Sequence, residues 1–296
     1  MRPDHPRPHR CRRGGDRSTQ RYADRVEQQV APDADSSGLD TSGLDTSALD
    51  TVLGKAVAIL RAFGPDDRML PLAELVRRTG LPKPTVHRVA ADLVGHRLLE
   101  KTEHGYRLAG GLFELGMRAA TERTLLEVAM PYLQDLYERT HETVHLGVRE
   151  GTEVVYVAKI GGHRQARTPS RTGGRMPMHC TAIGKALLAY AAPSVRAGVL
   201  GGELPRRTPR TIVAPGLLNQ QLDRVLETGL AYEREESTEG LLCVAAPVLD
   251  ADGTGALAAI SVTGPVGRFR PEVHESALRA AVTALGSVLA RRRYRG

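Results

Sequence analysis

The sequence predicts an α+β chain: an N-terminal winged helix-turn-helix, a linker helix and a C-terminal α+β domain. Three observations carry that expectation. Residues 72–97 hold two short helical periods, with a glycine and two prolines around their joint. A hairpin pattern follows at once, with extended segments 98–101 and 106–108 about a turn at 103–105. From residue 143 onward, short β-branched segments mix with helical ones over about 150 residues, the pattern of an α+β layer structure.

In the first helix of the pair, Leu72, Leu75 and Val76 fall at i, i+3 and i+4, which turns Arg77 and Arg78 outward. Gly80 tolerates the left-handed conformation at a helix end. Pro82 stops the first helix, and Pro84 suits the first turn of the second, where its missing N–H has no helical partner to lose. Val86, Val89, Ala90 and Leu93 make the apolar stripe of that second helix and leave Thr85, His87, Arg88, Ala91 and Asp92 facing out. A major groove admits such a helix, and its early exposed residues reach base edges. An ordinary helical hairpin would show the same two periods but not the flanking pieces. The hairpin is the wing, and Val52, Ala56, Ile59, Leu60 and Phe63 give the amphipathic helix that closes a three-helix core. Double-stranded DNA is therefore the expected partner. The expected DNA-facing set is Lys83, Pro84, Thr85, His87, Arg88 and Lys101, with the two lysines on phosphate.

The charge agrees with this placement. The net +7 is uneven: residues 1–50 carry −1, residues 51–108 carry +4, residues 109–290 balance, and four arginines after position 290 supply the rest. The excess sits where phosphate would be met. Cys11, Cys180 and Cys243 lack any framework spacing, and no apolar run of membrane length occurs, so a cytoplasmic protein without disulfides, cofactor or membrane contact is expected. Residues 1–50 are rich in Pro, Arg, Asp and Ser and end in three near-identical pentapeptides (SGLDT, SGLDT, SALDT), a composition expected to stay disordered. A winged domain over 51–109, a linker over 110–124 and a second domain over 125–296 follow.

After the wing, a helical period runs from Leu112 to Tyr137, with an interruption expected near Pro131. Strands are expected at 143–149, 154–160, 231–234, 241–249 and 256–263, and helices at 182–191, 217–227 and 271–292. A polar loop spans 161–177 and carries His163, Arg164, Arg167, Arg171 and Arg175.

His141-Glu142-Thr143-Val144-His145 matches the H-E-x-x-H of zinc proteases, which needs both imidazoles and the glutamate on one helix. Thr143 and Val144 are β-branched and Gly147 follows, so the motif straddles a helix-to-strand junction and no metal or catalysis is expected. Gly184-Lys185 resembles a P-loop ending, but His179 and Ala186 stand where glycine and Ser/Thr are required. Thr181 reads instead as an N-cap that leaves the backbone N–H groups of Ala182 and Ile183 free for a carboxylate or phosphate. Cys243 lies in an apolar strand and reads as an unreactive thiol. Glu233, Glu235, Glu236 and Glu239 crowd the segment before it. They form a solvated face or, with Ser261 and Thr263 alternating on the next strand, one wall of a polar pocket.

Six stretches together resemble the IclR family of bacterial transcription regulators: LGKAVAILRAF (53–63), LAELVRRTGLPKPTVHRV (72–89), GYRL (105–108), MPMHCTAIGKALLA (176–189), GLLCVAAPV (240–248) and AAISVTGP (258–265). The resemblance covers residues 52–292. It implies a linker helix used in dimerisation, a C-terminal effector domain distantly like the GAF fold, and a dimer or dimer of dimers whose operator binding is altered by a small metabolite. A repressor is the expected sign of regulation, and the exposed N–H groups at the Thr181–Ile183 helix start make an anionic metabolite the expected ligand. By the same resemblance the effector contacts are Ala182, Ile183, Glu233, Glu236, Cys243, Ser261 and Thr263. Glu233 stands where members that bind small keto acids carry aspartate, and Pro84 where Ser or Thr usually contacts phosphate.

The composition of residues 1–50 yields a first prediction. A chain starting at Thr51 should fold and bind its operator almost as well as the whole protein. Circular dichroism and gel-shift titration check this, and loss of the dimer or of most of the affinity would give the leader a structural role.

Overall fold

The computed structural model describes residues 49–118, 120–161 and 168–293. The first 48 residues of the expected leader, and His163, Arg164 and Arg167, lie outside them. The chain divides into two compact units between Leu112 and Phe113.

The first unit holds α1 (Val52–Arg61), α2 (Leu72–Thr79), α3 (Lys83–Gly95) and the hairpin β1 (Leu99–Thr102) and β2 (Gly105–Leu108). Thr51 caps α1, its side chain accepting from Gly54 N at 2.9 Å. Gly80 ends α2 at φ 67°, the conformation its position required. Ile59, Phe63, Leu75, Val86, Val89, Ala90 and Leu93 close one core. Val52, expected inside, is 67% exposed, because the first turn of α1 projects beyond the two helices that cover the rest of it. Arg78 locks the base: it donates to Ala62 O at 2.9 Å, to Glu74 at 2.6 Å, and pairs with Asp67. The wing has a third member. Leu70 and Tyr106 exchange backbone hydrogen bonds at 2.8 and 2.9 Å, and a side chain at Gly105 would lie 2.3 Å from Leu70 O.

Helix α4 (Gly110–Gly116) spans the division and buries no residue. The chain turns at Met117 and Arg118, and α5 (Ala120–Thr140) then runs through Pro131. The break expected at the proline therefore falls earlier. Pro131 sits on the exposed face, while Leu125, Val128, Ala129, Leu133 and Leu136 are buried and hold the helix across one missing hydrogen bond.

The second unit is an antiparallel six-stranded sheet in the order β5-β4-β3-β8-β7-β6. Its strands are β3 (Thr143–Glu150), β4 (Glu153–Ile160), β5 (Arg175–Pro177), β6 (Ala231–Arg234), β7 (Leu241–Leu249) and β8 (Ala256–Pro265). Helices α6 (Ala182–Ala189), α7 (Pro193–Gly201) and α8 (Pro215–Thr228) precede β6, and α9 (Pro271–Arg293) closes the chain. Alternation sorts the side chains. Val144, Leu146, Val244, Ala246, Ile260 and Val262 face α5 and α9, whereas Val154, Tyr156, Ala245 and Ala259 face α6 and α8. The register shifts once between β3 and β4: Leu146 opposes Ala158 but Gly147 opposes Tyr156. That bulge puts Lys159, opposite His145, on the same face as Tyr156.

Two elements differ from expectation. Arg175–Pro177, placed in a loop, pairs with β4 as an edge strand whose Arg175 binds Glu150 at 2.6 Å and Glu153 at 3.2 Å. Three residues are too few to show alternation. Helix α7 was unread because only Val199 of its nine residues is buried, and glycines occupy two more positions.

Lys185 is among the largest fully buried side chains of the described residues, at 1% exposure. Its ammonium reaches both Glu236 carboxylate oxygens at 2.6 Å, Gln221 Oε1 at 2.6 Å and Tyr232 O at 3.0 Å. It thereby ties α6 to α8, β6 and the turn before β7. Removing one member of a buried pair strands the other charge. Lys185→Met should cost about 3–5 kcal/mol, and adding Glu236→Leu should recover most of it. Urea unfolding measures both, and a single variant as stable as the parent would refute the role given to the pair.

Candidate DNA-binding and effector sites

Each unit carries one site. In the first, Lys83, Pro84, His87 and Arg88 are exposed along the first turns of α3, Thr85 is half-buried beside them, and Lys101 is exposed on β1. The arginines sort by partner. Arg77 and Arg78 are consumed by Glu74 and Asp67, and Arg107 is forked onto Glu100 across the wing at 2.8 Å. Lys83, Arg88 and Lys101 make no ion pair among the described residues. The helix start contributes further, since its first backbone N–H groups favour negative charge.

In the second unit the sheet lays down two polar rows on the face beneath α6. One runs Glu233–Cys243–Thr263–Thr143, the other Ala245–Ser261–His145–Lys159, each residue opposite the next in register. Thr181 caps α6 as expected, accepting from Gly184 N at 3.1 Å; the N–H groups of Ala182 and Ile183 have no partner within the helix, and both residues border the cavity beside these rows. Gly184 permits the approach, because a Cβ there would lie 2.3 Å from Met178 O. A cavity of about 20 Å³ remains among these residues, room for one water-sized group. Ala182, Ile183, Glu233, Cys243, Ser261 and Thr263 all line it.

Glu236 does not. It is turned away onto Lys185 and borders a separate surface groove. Sequence reasoning missed His145, Tyr156, Thr168 and Ser170, which do line the cavity. Alternation along β3 from Thr143 could have found His145, but its match to H-E-x-x-H drew it into the wrong chemistry. That motif is split: α5 ends at Thr140, His141 is left-handed at φ 52°, Glu142 pairs with Arg268, and His145 lies in β3.

The cavity walls are electrostatically unusual. Glu233 is 1% exposed. Its Oε1 accepts from Glu236 N at 2.7 Å and Ser237 N at 3.0 Å, which fixes the turn between β6 and β7. Its Oε2 is buried with no hydrogen bond of normal geometry among the described residues, and the weak thiol donor of Cys243, opposite Glu233 in register, is the nearest group to satisfy the carboxyl. Burial raises the pKa of Glu233. Burial, and then the neighbouring Glu233, push the Cys243 thiol well above its ordinary range, so it is not a nucleophile; Thr263 donates to its sulfur at 3.1 Å. The His145 pKa is held down to about 3, by burial first and then by Lys159, so the ring is neutral. Ser170 spends its proton on Thr168 at 3.0 Å. It therefore accepts at 2.7 Å from His145 Nε2, while Nδ1 faces the Ser261 hydroxyl at 3.4 Å.

The IclR helix-turn-helix model matches residues 52–103, and the model for the C-terminal domain of bacterial IclR transcriptional regulators matches residues 117–290. The chain belongs to the IclR family. It is 37% identical over 221 residues to the regulator KdgR of Escherichia coli, covering 74% of this chain and 83% of that one. With XynR of the same organism it shares 32% over 243 residues, covering 78% and 96%. Among solved structures, an IclR homologue from Microbacterium hydrocarbonoxydans complexed with 4-hydroxybenzoate superposes with a TM-score of 0.75 at 29% identity, covering 80% of this chain and 98% of that one. This IclR-family protein is thus a DNA-binding transcriptional regulator with a ligand-binding C-terminal domain, and not an enzyme. Among its described residues no helix is long and apolar enough to cross a membrane.

The buried imidazole makes a pH prediction. The folded His145 pKa, about 3, lies below the ordinary 6.5, so its contribution is complete above about pH 6.5 and is lost as pH falls toward 3. Burial lowers His179 and His274 as well, so a comparison with His145→Gln isolates the one group. Between pH 6 and 4 the parent should lose up to about 1.4 kcal/mol per pH unit relative to that variant in denaturant titrations. Parallel curves would mean that His145 charges freely in the folded protein.

Proposed function

We propose that this protein is a repressor of a catabolic operon, acting in the cytoplasm as a dimer or dimer of dimers, and that a small anionic metabolite seated under α6 controls its hold on DNA. The carrying observation is the buried polar cavity between the α6 start and the rows bearing Glu233, Cys243, Ser261 and Thr263. The free N–H groups of Ala182 and Ile183 favour negative charge. Glu233 Oε2, with only the weak Cys243 thiol near its carboxyl, favours a stronger hydrogen-bond donor on the same ligand. A hydroxy acid meets both demands, and the 4-hydroxybenzoate held by the Microbacterium homologue is a molecule of that type. A relative from Klebsiella pneumoniae, 30% identical, is the transcriptional repressor AllR, which supports the sign of regulation. Phe113 and Leu115 stand 72% and 52% exposed on the linker segment, apolar surface that a second copy would cover. The working division is a leader (1–50), a winged domain (51–109), a linker (110–124) and an effector domain (125–296), with Lys83, Pro84, Thr85, His87, Arg88 and Lys101 on DNA.

Arg88→Ala should cost roughly 1–3 kcal/mol in operator affinity and relax specificity at one base pair. Lys83→Ala and Lys101→Ala should weaken binding to all sequences alike and flatten the salt dependence. Footprinting and titrations at two salt concentrations separate these outcomes, and an unchanged footprint for Arg88→Ala would remove α3 from the groove. For the effector, thermal-shift screening of hydroxy acids is repeated with Ser261→Ala and Glu233→Gln. Acids that stabilise both variants as well as the parent would place the pocket elsewhere.

A further inference from the structure

We propose that Lys159 and His145 form the anion-binding end of the effector cavity, and that residues 168–170 occupy that end by presenting oxygens where a ligand carboxylate would sit. The inference rests on the effector reading above and adds to it the residues that recognise the charge.

Three oxygens of residues 168–170 meet two donors at the edge of the cavity. Lys159 Nζ donates to Thr168 Oγ1 at 2.6 Å and to Ser170 O at 2.7 Å. His145 Nε2 and Ser170 Oγ are hydrogen-bonded at 2.7 Å, the ring donating in the tautomer that leaves the Ser170 proton to Thr168. The bulge in β3–β4 is what brings the donors together, because it places Lys159 opposite His145 on the cavity face. All three acceptors are neutral. Lys159 has no carboxylate partner among the described residues, although burial already lowers its pKa and so penalises its charge. An ammonium partly stripped of water and satisfied only by a hydroxyl and a carbonyl gains by exchanging them for a carboxylate, since charge-assisted bonds are about twice as strong as neutral ones. His145 contributes a neutral N–H donor, which binds an anion without itself bearing charge.

The opposite end of the cavity has the complementary character. Glu233 Oε2 is buried with no donor stronger than the nearby Cys243 thiol, and it lies on the β6 side of the sheet, with β7, β8 and β3 between it and Lys159 on β4. The cavity is thus polarised across those strands, anion-seeking at one end and donor-seeking at the other. Residues 168–170 also fill it. The remaining space of about 20 Å³ cannot take a metabolite, and the displacement that a ligand needs is assigned to these oxygens. What holds the segment at this end is largely polar, namely the bonds to Lys159 and His145 and the 3.0 Å bond from Ser170 to Thr168. A carboxylate can replace such contacts in kind.

The test uses the full chain and ligand pairs that differ only in charge: 4-hydroxybenzoate with 4-hydroxybenzamide, and lactate with lactamide. Calorimetric affinities are measured for the parent, Lys159→Gln, Lys159→Arg and His145→Gln. For each acid that binds, Lys159→Gln should weaken binding by roughly 10-fold or more, the expectation for a lost hydrogen bond to a charged group. Lys159→Arg should restore much of it, and the amides should be nearly indifferent to either change. His145→Gln should weaken the acids by less. Lys159 is exposed as a whole residue although its ammonium end is partly covered by residues 168–170, so its variants should fold, which thermal unfolding verifies. Equal binding of an acid to the parent and Lys159→Gln would overturn the lysine assignment while leaving the effector pocket standing. Binding of the amides alone, or of none of the four ligands, would count against the anionic-effector reading itself.

Discussion

The buried contact between Lys185 and Glu236 is the constraint on which the effector unit depends. An ammonium at 1% exposure is tolerable only because a carboxylate, an amide oxygen and a backbone carbonyl surround it. Those partners come from three elements, so satisfying one charge fixes α6 over the sheet, α8 against α6, and the turn that follows β6. The same turn carries Glu233, whose Oε1 accepts two of its backbone N–H groups. The two glutamates share the work: Glu236 anchors the turn to the helix, and Glu233 anchors it to the sheet while leaving Oε2 in the cavity. Their division of labour explains why only one of them faces the site.

The sheet supplies the rest through its period of two. Apolar residues at even positions of β3, β7 and β8 go to α5 and α9, and the odd positions become free to carry polar groups beneath α6. One bulge reverses the phase of β4 between Tyr156 and Lys159, which is how a single strand offers both a ring and an ammonium to one face. The winged unit uses ions differently. Its basic side chains divide into those tied down inside the protein, Arg78 above all, and those left bare on α3 and β1. An arginine count would not separate the two sets; partner geometry does.

Much of this was legible in the sequence, for identifiable reasons. The helix pair, its glycine cap and the wing rest on local signals, namely period, φ preference and turn chemistry, and these act within a few residues. Six of the seven effector residues expected by resemblance line one cavity. Glu236 escaped because its partner Lys185 is 51 positions away and no pattern within the segment announces a buried ion pair. His145, Lys159 and Ser170 escaped for a related reason: their meeting depends on strand register and on a bulge, which are properties of pairing and not of any one strand. The proline in α5 misled in the opposite direction. Its local penalty is real, but five buried side chains outweigh one absent hydrogen bond.

A ligand shifts a conformational equilibrium only by its difference in affinity for the two states. In this cavity the exchange at the Lys159 end is nearly one bond for another, so neutral contacts alone would supply little bias. Charge changes that balance, because a carboxylate meeting a partly desolvated ammonium and the α6 dipole gains more than the hydroxyl and carbonyl it displaces. At the far end the Glu233 carboxyl, its pKa raised by burial, pays a desolvation penalty that a ligand hydroxyl relieves. Neither gain is open to a purely apolar molecule, and a simple anion obtains only the first. On the proposed reading, selectivity for a molecule with an acid at one end and a donor at the other would follow from where the sheet leaves its polar groups incompletely satisfied.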